Sequence, residues 1–214
     1  MKNLILIVCL LFTTGGFSPC SGQASNTTEI GIKGAANFSS LYTKDALKSD
    51  IISGFNAGFF AKIPVTSILA FQPELVLSTK GSTITYNNTL ADGTVNFNLK
   101  YLELPLLCVI NVTKRLSLHA GPYVAYLIDN NVTNKANVHL FNFEQNLNMN
   151  NFNRIDAGIA LGAGIDIETI TMGMRYTLGL TKVGKTSSFQ DNDYTIPNST
   201  NGVISFYLSV SVLK

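Results

Sequence analysis

Ser117 and His119 stand two residues apart, a spacing that in an extended chain places a nucleophile and a base on one face. A barrel-borne lipid deacylase would use such a pair for acyl transfer. Its setting argues for packing instead: the pair falls near a short turn in the phase that points inward, and no nearby loop offers a carboxylate to orient the imidazole. His139, the other of the 2 histidines, has no Cys or acidic partner at ligand spacing, so no metal site is expected. Gly-rich phosphate loops, nucleotide fingerprints and paired zinc motifs are absent from the sequence. No catalytic, cofactor-binding or metal residue is therefore expected, and the chain reads as a non-enzyme. Six Asn-x-Ser/Thr triplets, at Asn26, Asn37, Asn87, Asn111, Asn131 and Asn198, are what 22 asparagines produce by chance.

The remaining chemistry lies in four charged residues, Lys33, Glu74, Glu103 and Arg175, and depends on the elements that carry them. The chain shows almost no helical periodicity. Eight stretches instead alternate apolar with small or polar residues, the period-two mark of a strand with two unlike faces: 29–41, 54–63, 69–80, 95–110, 116–128, 155–167, 170–180 and 203–213. The fourth is less regular, since Phe97, Leu99 and Tyr101 fall in one phase and Leu102, Leu104, Leu106, Cys108 and Ile110 in the other; a bulge near Tyr101 or an aromatic belt would account for it.

The connections alternate long and short: 42–52, 81–94, 129–152 and 182–202 are long, whereas 64–68, 111–115 and 168–169 are short. An up-and-down barrel would then carry its long loops at one rim and its turns at the other, as outer-membrane barrels do. The Asn-rich stretch 129–152 reads as a solvated surface loop, with a recognition surface as the second reading.

Composition agrees. Of the 214 residues, 46% are hydrophobic and 13% charged, about half the charge of an ordinary soluble domain. A net charge of +2 gives no field to collect nucleic acid. The longest apolar run, residues 4–12, is far short of the ~20 residues a membrane-spanning helix needs. With Lys2 before it and Gly22-Gln23-Ala24 after it, that run reads as a secretory signal peptide over 1–24, leaving a single domain, 25–214, with Cys108 as its one cysteine.

One face of each strand carries Ile, Leu, Val, Phe, Met and Ala without charge, because Arg or Lys facing lipid at the midplane would cost about 2–4 kcal/mol. That face is assigned to lipid and the polar face to the lumen, where glycines 158, 162, 164, 173 and 179 leave room for larger neighbours. A soluble lipocalin-like barrel, with the faces reversed, is the alternative. With no Trp in the chain, Tyr101, Tyr126 and Tyr176 are the candidates for interfacial belts. In the lumen, Lys33, Glu74, Glu103 and Arg175 share the inward phase at similar height. They are expected to form a neutral cluster in which the Arg175 guanidinium serves both carboxylates.

Particular stretches resemble a family. Residues 30–39 (IGIKGAANFS), 71–75 (FQPEL), 101–107 (YLELPLL), 120–123 (AGPY) and 175–181 (RYTLGLT) are similar, in order, to the Bacteroidota outer-membrane beta-barrel proteins related to PorT. The C-terminal Ser211-Val-Leu-Lys214 departs from that pattern, in which an aromatic residue is usual. The resemblance implies a small barrel in the cell outer membrane, with membrane lipid and the barrel-insertion machinery as partners and a link to export of surface proteins. A small passive pore and a lipid-modifying enzyme are the competing functions.

Overall fold

Strict alternation gives every strand one face that water rejects and one that a narrow interior can accept, and eight such strands can satisfy all their backbone groups only by closing into a ring. The computed structural model describes residues 27–43, 49–88, 91–136, 153–183 and 199–213. Its strands are β1 Glu29–Thr43, β2 Ile52–Pro64, β3 Leu69–Asn88, β4 Ala91–Asn111, β5 Leu116–Ala136, β6 Ile155–Ile167, β7 Ile170–Gly179 and β8 Ser199–Leu213. Each pairs antiparallel with the next, and β8 returns to β1 with Leu208 opposite Gly34, which closes an up-and-down barrel. A further two-residue piece, Ser49–Asp50, pairs with Ile84 and Thr83 of β3. The tightest connection, Glu168 and Thr169 between β6 and β7, places Glu168 at a φ of 54°, the left-handed region that two-residue hairpins require.

The faces divide as the alternation requires. Ile32, Phe59, Leu77, Leu104, Leu118, Ile159, Met174 and Phe206 are exposed outward, whereas Lys33, Asn37, Glu74, Ser78, Glu103, Ser117, Asp156, Arg175 and Ser205 are buried inside. An exposed ion pair, Lys100 Nζ to Asp129 Oδ2 at 2.8 Å, caps the apolar band on the long-loop side. From Lys100 to Asn111 at the opposite end, β4 runs roughly 36 Å at ~3.3 Å per residue. A tilt of about 40° brings that to roughly 28 Å, close to the ~25 Å apolar band of outer-membrane barrels.

Several expectations need correction. Residues 81–88 and 91–94 are not loop: β3 and β4 remain paired from Lys80 opposite Leu99 up to Asn88 opposite Ala91, and β5 follows as far as Ala136 opposite Gly93. Thr and Asn there lack the apolar partner of a lipid-facing strand, so they read as loop, yet a backbone ladder outside the membrane needs no apolar face. Of the stretch 129–152, residues 129–136 are therefore strand, and 137–152, with His139, lie outside the described residues, as do 1–26, 44–48 and 184–198. The fourth strand keeps a single phase, with Leu99 and Tyr101 lumenal beside Glu103. The bulge lies in the neighbouring strand: Lys100 faces Asp129 but Tyr101 faces Leu127, leaving Ile128 of β5 as the extra residue. Tyr101, only 1% exposed, is thus a lumenal side chain and no part of a belt, whereas Tyr126 is exposed.

Candidate functional site

The lumen is filled by two tiers of charged side chains. In the lower tier Arg175 projects from β7 and Glu74 from β3, strands four apart in a ring of eight and so on opposite walls. Their ion pair crosses the full width of the lumen. Arg175 Nη1 and Nη2 donate to Glu74 Oε2 and Oε1 at 2.6 and 2.8 Å, a bidentate fork that the planar guanidinium makes without distortion. Lys33 from β1 donates to the same carboxylate at 3.1 Å, and Gln72 Nε2 adds a fourth donor at 2.8 Å. Arg175 Nε donates to His119 Nε2, on β5, at 3.3 Å. The four odd-numbered strands thus meet in one layer, floored by the Tyr207 ring, whose centroid lies 4.1 Å from Lys33 Nζ.

The upper tier is centred on Lys80 of β3. Its Nζ lies 2.7 Å from Glu103 Oε2 of β4 and 3.4 Å from Asp156 Oδ2 of β6. Asp156 also accepts from Tyr123 Oη at 3.1 Å, Asn201 Nδ2 at 3.0 Å and Thr181 Oγ1 at 3.0 Å, so every strand from β3 to β6, and β8, is tied to it. Lys80 further lies over the Tyr123 ring, 4.5 Å from the centroid. At the same wall, Asn37 donates to Ser78 Oγ at 3.2 Å and accepts from Asn56 and Ser205 at 3.0 and 2.8 Å. The cavity left between the tiers, lined by Glu74, Lys80, Glu103 and Arg175, measures about 10 Å³, room for at most one water.

Of the four expected cluster residues the structure brings three together. Lys33, Glu74 and Arg175 meet, but Glu103 does not join them; it pairs with Lys80, and the guanidinium grips both oxygens of one carboxylate instead of serving two. Lys80 and Asp156 were missed. Both share the lumenal phase, but a third strand that ends at residue 80 puts Lys80 at the rim, and Asp156 stands only second in a strand that starts at Ile155. The ladder that continues above them keeps both inside. Among the described residues the buried lumenal charges are three cations and three carboxylates, a neutral set split into a lower tier with one excess positive charge and an upper tier with one excess negative charge.

Ser117 and His119 sit buried below Arg175. The serine hydroxyl donates to Gly164 O at 3.3 Å and the imidazole Nε2 is held by Arg175, so neither group has a free partner to activate the other. The lumenal glycines accommodate these rings. A Cβ at Gly162 would strike His119 Nε2, one at Gly158 would lie 2.8 Å from the Tyr123 ring, and one at Gly164 2.6 Å from Tyr207 Oη.

An apolar outer surface closed around a charged interior is the inverse of a soluble core, and the comparison with protein families agrees with it: the model of the outer membrane protein beta-barrel domain matches residues 21–184. The chain belongs to that family. Its place is accordingly the outer membrane, and the reversed-face soluble barrel is set aside. Solved structures similar to it include OprG of Pseudomonas aeruginosa, at 16% identity over 90% of this chain and 99% of that one, TM-score 0.49. Neisserial surface protein A is similar at 11% identity over 86% and 99%, TM-score 0.49. The attachment invasion locus protein Ail of Yersinia pestis is similar at 11% over 85% and 97%, TM-score 0.42. No curated protein matches.

Proposed function

We propose that this chain is a sealed, non-enzymatic outer-membrane barrel that offers its long-loop rim to the cell exterior as a structural and interaction platform. The observation that carries this reading is the double closure of the lumen: ion pairs cross it at two heights and only about 10 Å³ is left between them. The occupied lone pair of His119 and the engaged hydroxyl of Ser117 favour a non-enzyme over a lipid-modifying catalyst. The paired extension of β3, β4 and β5 beyond Lys100 supplies a platform above the bilayer. The resemblance to PorT-related barrels points to surface-protein export as the process served, with an export component as partner and the barrel-insertion machinery as the route of assembly.

Planar-bilayer recording tests the sealed lumen: no steady unit conductance is expected from the purified barrel, and ohmic channels at neutral pH would favour a passive pore. Deletion of the gene followed by a census of surface proteins tests the export role, which an unchanged census would overturn.

A further inference from the structure

The long-loop rim is unevenly charged. Where β5, β6 and β7 leave the apolar band, Arg154 and Lys182 occupy neighbouring segments joined by Asn153, whose N donates to Val183 O at 2.9 Å and whose Nδ2 donates to Lys182 O at 2.7 Å. Both cations are exposed, and their direction is fixed by their neighbours. Thr181 turns in to Asp156 and Val183 is 3% exposed, so Lys182 shares the outward phase of Leu180. Arg154 Nη1 lies 3.4 Å from Tyr126 Oη, on the outer wall of β5. Lys100, on the next strand, is matched by Asp129, but among the described residues no acid pairs with Arg154 or Lys182. Directly below lie exposed Tyr126, Ile155, Ile159 and Leu180.

Two cations without an acidic partner among the described residues and a phenol at the headgroup level, standing on an apolar wall at the acyl level, match the two halves of one kind of molecule. We propose that this arc of the rim binds the phosphate of a lipid headgroup, with the Arg154 guanidinium and the Lys182 ammonium as its donors and the acyl chains lying along Ile155, Ile159 and Leu180. Arginine suits the role because its fork engages two phosphate oxygens at once. A free anion would have no use for the wall below, and an acidic protein segment would not need the cations to stand at the bilayer boundary. The proposal rests on the outer-membrane reading but not on which rim faces outward, since binding in detergent is blind to orientation.

The test is a native mass-spectrometry titration of the detergent-solubilised barrel with diphosphorylated lipid A, with the same lipid dephosphorylated, and with inorganic phosphate. Each basic side chain near an anionic lipid surface contributes roughly fivefold in affinity, so Arg154→Gln with Lys182→Gln should weaken binding of the phosphorylated lipid by about 25-fold. The double variant Lys114→Gln with Arg115→Gln, on the exposed turn at the other rim, should leave it unchanged. Heat-modifiable migration of each variant verifies that the barrel has closed. Equal binding by the Arg154/Lys182 variant, equal binding of the dephosphorylated lipid, or an equal loss in the Lys114/Arg115 variant would each overturn the site. Displacement of lipid by millimolar inorganic phosphate would overturn the lipid as its occupant. Conductance would not respond to any of these substitutions, so failure here and failure of the sealed-barrel reading are separately visible.

Discussion

Arg175→Ala removes the fork that spans the lumen, and the structure sets both the size of the loss and its rank among its neighbours. Glu74 would lose two donors at 2.6 and 2.8 Å but keep Lys33 and Gln72, so it would be weakened as an ion pair without being stranded. Breaking a buried pair by removing one partner costs about 3–5 kcal/mol. With two donors retained, the lower end, about 3 kcal/mol, is expected. Glu74→Gln should cost more, about 5 kcal/mol, because it leaves Arg175 and Lys33 buried as two like charges with no acid between them. Lys33→Met should cost least, about 1–2 kcal/mol, since the fork survives and only one charge-assisted bond is lost. Urea unfolding in lipid vesicles, followed by the shift between closed and unfolded bands on unboiled gels, measures all three. A Lys33 variant more costly than the Glu74 variant, or an Arg175→Ala barrel with an unchanged midpoint, would refute the reasoning.

In the upper tier, Lys80→Met should destabilise by about 3–5 kcal/mol, more than Lys33→Met, because Glu103 and Asp156 would face each other without a cation; the same unfolding assay ranks them. Gly164→Ala should cost about 1–3 kcal/mol by overpacking against Tyr207 Oη, and adding Tyr207→Phe should return part of it; strict additivity of the two changes would contradict the contact. Leu104→Arg, on the outer face, should cost about 2–4 kcal/mol if it lies near the midplane, and a cost near zero would mean that this face is wet. In a Cys108→Ser background, a cysteine at Asn98 should react with a membrane-impermeant maleimide on intact cells while one at Lys114 should not; the reverse would invert the topology.

The strands and their inward and outward faces could be read from alternation alone because lipid tolerates no compromise: a single charge on the outer wall costs kilocalories, so Leu102, Leu104 and Leu106 declare their side. Beyond the headgroups that penalty vanishes. There β3, β4 and β5 continue as a hydrogen-bonded ladder rich in Thr and Asn, without the sustained apolar face that marks a lipid-facing strand, so it reads as loop. The same pattern hides Lys80 and Asp156, two of the six buried lumenal charges. Phase identified Lys33, Glu74 and Arg175 as interior neighbours, but pairing in a tilted barrel depends on stagger. The register of β3 on β4, with Val76 opposite Glu103, and the true length of β3 decide that Glu103 meets Lys80 and not Arg175.

That the lumen is filled with ion pairs at all calls for a reason other than stability, since buried pairs replaced by apolar groups of similar volume are often neutral or better. An apolar lumen, however, would give each strand two similar faces, and a strand with two similar faces can slip by one residue without penalty. The charges make the inner face unlike the outer one. Arg175 bonded to Glu74 across the full width, with Lys33 and His119 on the other diameter, further ties four alternate strands to one height. The glycines at 162 and 164 then place the His119 and Tyr207 rings against that layer. The plug is better understood as what fixes the register of this barrel than as what holds it together.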